Sequence, residues 1–410
     1  MSTYESSGNW KYLNIHNQVW SKGRMSEARY RILHLMSSMR WTGVAEPAAS
    51  LCSHQIQDGH DVKAAAIWDR SLEMNLRKHE IPLARELDLS RYINPLANRR
   101  NMLILRKYLV AQKIQIVHCH LIHDHWLAAF AIRGLPRESR PLLIRTVHRY
   151  EKMRCDPWHK WLFQAATDQV HTVSSEQLEL VEAAYKLKNP TQLIFGGVDL
   201  HRFSPANDGG AVRTDMGEPA ESRVAGIVAH LGYNRGHMWL LKSIPAVLEA
   251  VPDAVFWIVG KGELATTLRQ TLKESQFQGR VQMAGYRTDD LPQTYAACDA
   301  GILLGLGSEG SARAAMEFMA TGKPVVAVSK GSLCDLIKPG EYGFLVNQDD
   351  VSGLSRALID VLSDVEKCRA MGRAARRHIE ENFTEALRAR KTMEAYDYLM
   401  AAKAEPVPVS

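Results

Sequence analysis

The chain has 410 residues, 46% of them apolar and 23% charged, a balance that excludes disordered and collagen-like classes. At about 150 residues per domain this length suggests two or three domains. The net charge of +6 is uneven: residues 1–200 hold 27 Lys/Arg against 19 Asp/Glu, and the remainder 24 against 26. The basic half suits a phosphate-rich partner such as an anionic membrane surface or a lipid diphosphate. No dense Lys/Arg block with interleaved aromatics occurs, which counts against nucleic acid. No apolar run reaches the roughly 18 residues that would span a bilayer. The N-terminus lacks the basic-then-apolar pattern of a secretory leader, so a cytoplasmic chain is expected. Six cysteines without a C-x-x-C pair read as reduced thiols rather than a disulfide framework or zinc ribbon.

Residues 1–28 are polar with scattered aromatics and read as an N-terminal extension. Regular structure begins at Arg31: RILHLMSS is a short apolar strand, AASLCSHQIQDGH a helix stopping at Gly59, and DVKAAAIW the next strand. A helix near 98–112, the strand IQIVHCH, a helix through 126–132 and the strand PLLIRTVH follow. Then come a helix around 158–166, the strand QVHTVSS, a helix near 176–185, and LIFGG. Strands alternating with helices predict a parallel α/β domain over 29–204. Residues 205–222 carry Pro, Gly and acids without apolar rhythm and read as a linker. A second α/β series spans 223–385, with strands at RVAGIVAHL, AVFWIVG, RVQMAG, AGILLGL, KPVVAVS and GFLVN; a C-terminal helix and tail occupy 386–410. Two such domains in tandem predict a cleft, with ligands at the carboxyl ends of the strands.

The sharpest local signal is LLGLGSEGSARAAMEFMATGKPVVAV. A buried strand runs into Gly-Ser-Glu-Gly, and a helix follows with Ser311 as a plausible N-cap. Glu309 stands just before that helix and Glu317 two turns inside it, about 12 Å along the axis. That spacing matches the reach from a hexose across a diphosphate to a ribose. The helix start between them, with its free N–H groups, is a natural anion site.

These residues resemble the signature of the family 4 retaining glycosyltransferases, E-G-F-G-x(4)-E-A-M-A-x-G-x-P-V. The similarity extends through VAHLGYNRGHMWLL (228–241), VFWIVGKGEL (255–264), VQMAGYRTDDLPQTYAACDAGIL (281–303) and VSS…IFGGVDLHRFSP (173–205), about residues 30 to 385 in all. It implies the α/β GT-B fold, two Rossmann-like parallel-sheet domains facing a cleft, with the nucleotide sugar held mainly by the C-terminal one. The implied activity is transfer of a sugar from a nucleotide diphosphosugar to a hydroxyl acceptor with retention of configuration. The nucleotide sugar is a co-substrate, and neither a cofactor nor a metal is implied. The chain lacks D-x-D.

By this resemblance His230, Arg235 and Gly236 stand where the family holds the diphosphate, with His230 in place of its Arg and Arg235 in place of its Lys. Glu309 would orient the sugar hydroxyls, Gly310, Ser311, Ala312 and Arg313 would face phosphate or sugar, and Glu317 would take the ribose. His148, ending LLIRTVH, matches the T-x-H imidazole that contacts the reacting sugar. Gly43 belongs to the first Gly-rich loop, on the acceptor side together with His120. The run HCHLIHDH (118–125) also invites a metal reading, but a strand puts His118 and His120 on one face and Cys119 on the other, and the family needs no metal there. Two other readings stay open: a nucleotide-sugar epimerase on the same scaffold, and a non-catalytic scaffold protein. Arg99, Arg106 and Lys113 recur every seven residues and are expected to share a basic helix face, pointing to a peripheral visit to the cytoplasmic leaflet and a lipid-linked or envelope-polysaccharide acceptor.

Overall fold

The computed structural model describes residues 28–404, apart from 42–43, 91–94, 149–151, 278 and 306–308. The extension at 1–27 and Gly43 therefore lie outside the described residues. The chain divides into two compact units. One holds the described residues up to Gly196 and, after a long excursion, those from Glu385 onward; the other is Gly197–Thr384.

The N-terminal unit is built on a seven-stranded parallel sheet. Its strands are β1 (Arg31–Met36), β2 (Asp61–Ala66), β3 (Leu83–Asp88), β4 (Ile116–Cys119), β5 (Leu142–Val147), β6 (Gln169–Thr172) and β7 (Gln192–Leu193), in the order β3-β2-β1-β4-β5-β6-β7. Both faces are covered, so the central strands are buried throughout. One face packs Leu33, Leu35, Val117 and Val147 against Leu105, Leu109, Ala128 and Ile132 from two helices. The other packs Ile32, Met36, Ile116 and Ile144 against Ala48, Ala49 and Cys52 of the helix Ala45–Gln57. It also packs against Met393, Tyr396 and Leu399 of the helix Glu385–Ala404. That last helix is tied down by polar bonds as well: Tyr30 Oη donates to Asp397 Oδ1 at 2.5 Å, and Arg388 Nη2 donates to the Pro47 carbonyl at 2.7 Å.

The second unit carries a six-stranded parallel sheet, β8 (Arg223–Val228), β9 (Ala254–Val259), β10 (Val281–Gly285), β11 (Ala300–Leu303), β12 (Val325–Val328) and β13 (Gly343–Val346), ordered β10-β9-β8-β11-β12-β13. All six expected strands are present here. In the first unit the strand β3 and the helix Ser71–Lys78 had no sequence signal. β3 is an edge strand, LARELD, exposed at two positions and partly so at two more, and so it lacks an apolar run.

Three sequence expectations change. Residues 205–222 are part of the second unit rather than a linker. They contain the helix Gly210–Asp215, and Arg213 donates to the Ala297 carbonyl at 2.9 Å and to Asp299 Oδ2 at 2.8 Å. Residues 197–204 also belong to that unit: Phe203 is buried, and its carbonyl accepts from Arg376 at 2.9 Å. The basic stripe does not form as expected either. The helix Pro95–Ala111 ends before Lys113, which has φ +49°, and Arg106 turns to the carbonyls of Phe130 and Ala131 at the end of a neighbouring helix. Exposed Arg99, Arg100 and Lys107 remain.

Burial holds many histidines neutral. His34, His237 and His378 fall to about 4 and His171 to about 3; His118, His120 and His125 lie well below the usual imidazole value. A folded-state pKa below the unfolded one gives stability that is complete above pH 6.5 and is lost as pH falls toward the folded value. Each such ring contributes up to ~1.4 kcal/mol per pH unit over that window. Asp124, raised by burial to about 6, acts in the opposite sense. The expected outcome is a fall in unfolding free energy of at least ~2 kcal/mol between pH 7 and 5.5, followed by urea titration; a flat profile would contradict neutral, desolvated rings.

Candidate active site

In the second unit the strand order reverses at β8 and β11, so the loops that leave these neighbouring strands diverge and open a crevice at their carboxyl ends. A pocket of roughly 140 Å³ lies there, lined by Val228 to His230, Arg235, Leu303 to Gly305, Gly310 and Ser311. Three features of the sequence build it. First, Gly226 and Gly301 are partners in the β8–β11 register, and a Cβ on Gly301 would lie 2.4 Å from the Phe318 ring. The missing side chains seat Phe318 on the sheet, and with it the helix Glu309–Ala320. Second, Gly236 has φ +78°, and a Cβ there would sit 2.3 Å from Leu304 Cβ. This bare turn lets the start of the helix His237–Ala250 approach the end of β11. Third, Arg235 closes the short turn Tyr233–Arg235 and donates to Ser311 Oγ at 3.3 Å. Burial lowers the Arg235 pKa, but a guanidinium stays charged.

The helix begins at Glu309, so Ser311 lies inside its first turn rather than at the N-cap. The Glu309 side chain lies outside the described residues. Gly310 is exposed, and Ser311 and Ala312 are buried in the same turn. The N–H groups of this helix start and the Arg235 guanidinium give the pocket a positive character suited to an anion. His230 is exposed at the rim and pairs with Glu263 Oε2 at 3.0 Å.

Two turns into the helix, Glu317 is buried, and each of its carboxylate oxygens accepts one bond within the protein. Tyr295 Oη donates to its Oε2 at 2.6 Å, and Arg313 Nε donates to its Oε1 at 2.8 Å. Burial and the adjacent carboxylate push the Tyr295 phenol well up. Each carboxylate oxygen keeps a further lone pair for a hydroxyl donor. Tyr295 and Glu263 were not singled out from the sequence, although both lie in the stretches that carried the resemblance.

His120 and His148 belong to the N-terminal unit, just beyond β4 and β5. Both are buried, and His120 Nδ1 meets His148 Nε2 at 2.8 Å. The metal reading of 118–125 does not gather its ligands: His125 bonds Thr167, and Asp124 accepts the Ser37 and Leu121 backbone N–H groups. Among the described residues, His34, His118 and His120 alone lie close enough together to hold an ion.

The family model for Glycosyltransferase Family 4 matches residues 41–202, and that for glycosyl transferases group 1 matches residues 222–364. Together they span well over half the chain, which belongs to this family and has the GT-B fold. Among curated relatives, the chain is 28% identical over 322 residues to the UDP-Gal:alpha-D-GlcNAc-diphosphoundecaprenol alpha-1,3-galactosyltransferase of Escherichia coli. That match covers 75% of this chain and 81% of the relative. It is 31% identical over 224 residues to a GDP-mannose-dependent monoacylated alpha-(1-6)-phosphatidylinositol monomannoside mannosyltransferase of Corynebacterium glutamicum, covering 52% of this chain and 57% of that one. The crystal structure of Anabaena Alr3699/HepE in complex with UDP and glucose superposes with a TM-score of 0.74 at 19% identity, over 90% of this chain and all of that one. The chain is thus a glycosyltransferase.

Gly236→Ala is expected to disrupt the pocket. A side chain at this φ, pressed on Leu304, costs about 1–3 kcal/mol in unfolding free energy. Nucleoside diphosphate affinity, measured by calorimetry, should fall about tenfold or more beyond any loss of folded protein; unchanged affinity would remove this turn from the site.

Proposed function

We propose that this enzyme transfers a sugar, with retention of anomeric configuration, from a nucleotide diphosphosugar to a hydroxyl of a lipid-linked or envelope-polysaccharide precursor. The observation that carries the reading is the pocket at the β8–β11 reversal, where Arg235, Ser311 and a helix start converge. The leaving group is a nucleoside diphosphate, and catalysis rests on stabilising the charge that develops on it. Arg235, the first-turn N–H groups, the Ser311 hydroxyl and His230 do this. Glu309 orients the sugar hydroxyls, Glu317 receives the ribose, and His148 contacts the sugar near its reacting carbon. Gly43 and His120 serve the acceptor side. The acceptor oxygen attacks on the face that the diphosphate leaves, so no protein nucleophile is required.

A lipid-linked acceptor is supported by the names of the two relatives, whose acceptors are a diphosphoundecaprenol and a phosphatidylinositol mannoside. Surface chemistry supports it too. Leu103, Val110, Phe130 and Trp158 of the N-terminal unit are exposed apolar side chains, and Leu103 and Val110 share a helix with the cations Arg99, Arg100 and Lys107. Aromatic and aliphatic side chains beside basic ones suit the headgroup region of an anionic leaflet. No helix among the described residues is long and apolar enough to cross a membrane; the reading is a peripheral protein on the cytoplasmic face.

A panel of UDP-, GDP-, ADP- and CDP-sugars with a polyprenyl-diphosphate sugar acceptor tests the activity. One donor should give a product with the donor's anomeric configuration. Glu309→Gln should lower turnover about ten- to a hundredfold through loss of one charge-assisted hydrogen bond. EDTA should leave the rate within about twofold, because cationic and backbone donors hold the diphosphate. Isomerised donor without transfer would indicate an epimerase, and no nucleotide-sugar binding a scaffold.

Co-sedimentation tests the membrane reading. Binding to anionic but not neutral vesicles, lost in about 0.5 M salt, is expected, and Arg99→Glu with Lys107→Glu should weaken it. Indifference to both vesicle types at low salt would refute it.

A further inference from the structure

The second unit carries another cavity, of about 550 Å³, at the amino ends of its sheet, the edge opposite the crevice. Residues 321–323, in the turn that leads into β12, form one wall, and the helix Val365–Asn382 forms another. Gly372 lets these two walls meet: a Cβ there would lie 1.9 Å from the Gly322 carbonyl oxygen. Arg376, on the same helix, closes the seam by donating to the carbonyls of Ala320 at 2.5 Å and Phe203 at 2.9 Å. The helix Glu309–Ala320 starts at the crevice and ends at this cavity, ~17 Å away along its axis, so the two are separate sites.

Lys323, Arg369, Arg373, Arg376 and Arg377 line the cavity, and among the described residues no carboxylate does. Two of these cations are compensated along the helix: Arg369 pairs with Glu366 at 2.9 Å and Arg376 with Glu380 at 2.6 Å. Arg373 and Arg377 are exposed, and no carboxylate among the described residues pairs with either. Arg369, Arg373 and Arg377 recur every four residues, a spacing at which like charges repel. A merely solvated face alternates signs at that spacing, as Arg376 and Glu380 do on the same helix. Lys323 adds charge from the opposite wall. Asp299, the carboxylate that acts on it, is already held by Arg213 and by the Val224 N–H, both at 2.8 Å. Asn207, also in the lining, spends its Oδ1 on the Ser204 N–H at 2.7 Å, which leaves its amide N–H groups as donors.

We propose that this cavity binds a small soluble phosphorylated ligand, of the size of a sugar phosphate or a nucleotide, at a site distinct from the crevice. Guanidinium forks match phosphate oxygens two at a time, and two of them one helical turn apart can share one phosphate. The bound anion relieves the repulsion within the Arg369, Arg373 and Arg377 series. A volume of this order takes up a whole small molecule rather than a lone ion, and a concave wall favours a ligand that can enter it over the flat surface of a bilayer. The site uses none of the residues assigned to sugar transfer and stands independently of that reading.

Calorimetric titration of the full chain with inorganic diphosphate at low salt tests the site. The unsubstituted protein should show two binding events, one of them surviving Arg235→Ala, which removes the cation of the crevice. Arg373→Ala with Arg377→Ala should weaken that surviving event about tenfold or more, through loss of charge-assisted hydrogen bonds. Arg373→Lys with Arg377→Lys keeps the charge without the fork and should fall between. Both side chains are exposed, so these variants should melt as the unsubstituted protein does. Arg99→Ala with Lys107→Ala removes the same charge from the other unit and should leave the affinity within about twofold. Vesicles of phosphatidylglycerol separate the two sources of phosphate: their binding, whatever its strength, should be the same with and without Arg373 and Arg377. A single event abolished by Arg235→Ala, an affinity unmoved by the two alanines, or equal weakening in the Arg99 and Lys107 control would overturn the site. Vesicle binding lost together with Arg373 and Arg377 would overturn the soluble ligand in favour of a lipid headgroup. No outcome depends on a transfer assay, so failure of this site is distinguishable from failure of the transferase reading.

Discussion

Parallel strand pairing is the constraint on which the rest of this molecule depends. A parallel sheet requires a crossover after each strand and covers both faces with helices. It also points all carboxyl ends of a sheet to one edge. His120 and His148 follow β4 and β5 in one unit; His230 and Gly305 follow β8 and β11 in the other. In each unit, candidate site residues far apart in the chain thus share one edge of their own sheet for topological reasons. Where the order reverses, between β8 and β11, backbone turns diverge and leave room for a ligand. The close contacts at Gly236 and Gly301 hold that room open to a defined size.

Polar groups at the first unit's reversal point, between β1 and β4, carry a different burden. His34 and His118 are aligned partners in adjacent strands, on a sheet face otherwise lined by Ile32, Ile116 and Ile144. Imidazoles among such neighbours are tolerable only when neutral and hydrogen-bonded. Gln55, Thr146 and Tyr396 supply those bonds from a helix, a strand and the returning C-terminal helix. The stability of this core is thereby coupled to acidity.

Much of this was legible in the sequence, for identifiable reasons. Strands such as AVFWIV and VVAV are apolar from end to end because both their faces are covered, and such runs need no context to be seen. The spacing of Glu309 and Glu317 likewise reports a helix directly. What escaped depended on partners distant in the chain. The strand LARELD is recognisable only once β2 stands beside it. Residues 205–222 look like a linker until Arg213 finds Ala297 and Asp299. Heptad spacing of Arg99, Arg106 and Lys113 assumed a helix that ends two residues before Lys113, and it could not show Arg106 turning to backbone carbonyls. The contacts that link Gln55, His34, His120 and His148 draw on four separate elements, and no local pattern announces them.

The return of the chain to its starting unit sets an order of assembly. Residues 197–384 form a contiguous unit that can fold as soon as they emerge from the ribosome. The N-terminal unit emerges earlier yet stays incomplete, because Met393, Tyr396 and Leu399 cover one face of its sheet. Until the last helix is released, that face is open and His118 lacks its Tyr396 partner. The half synthesised first is therefore the last to close.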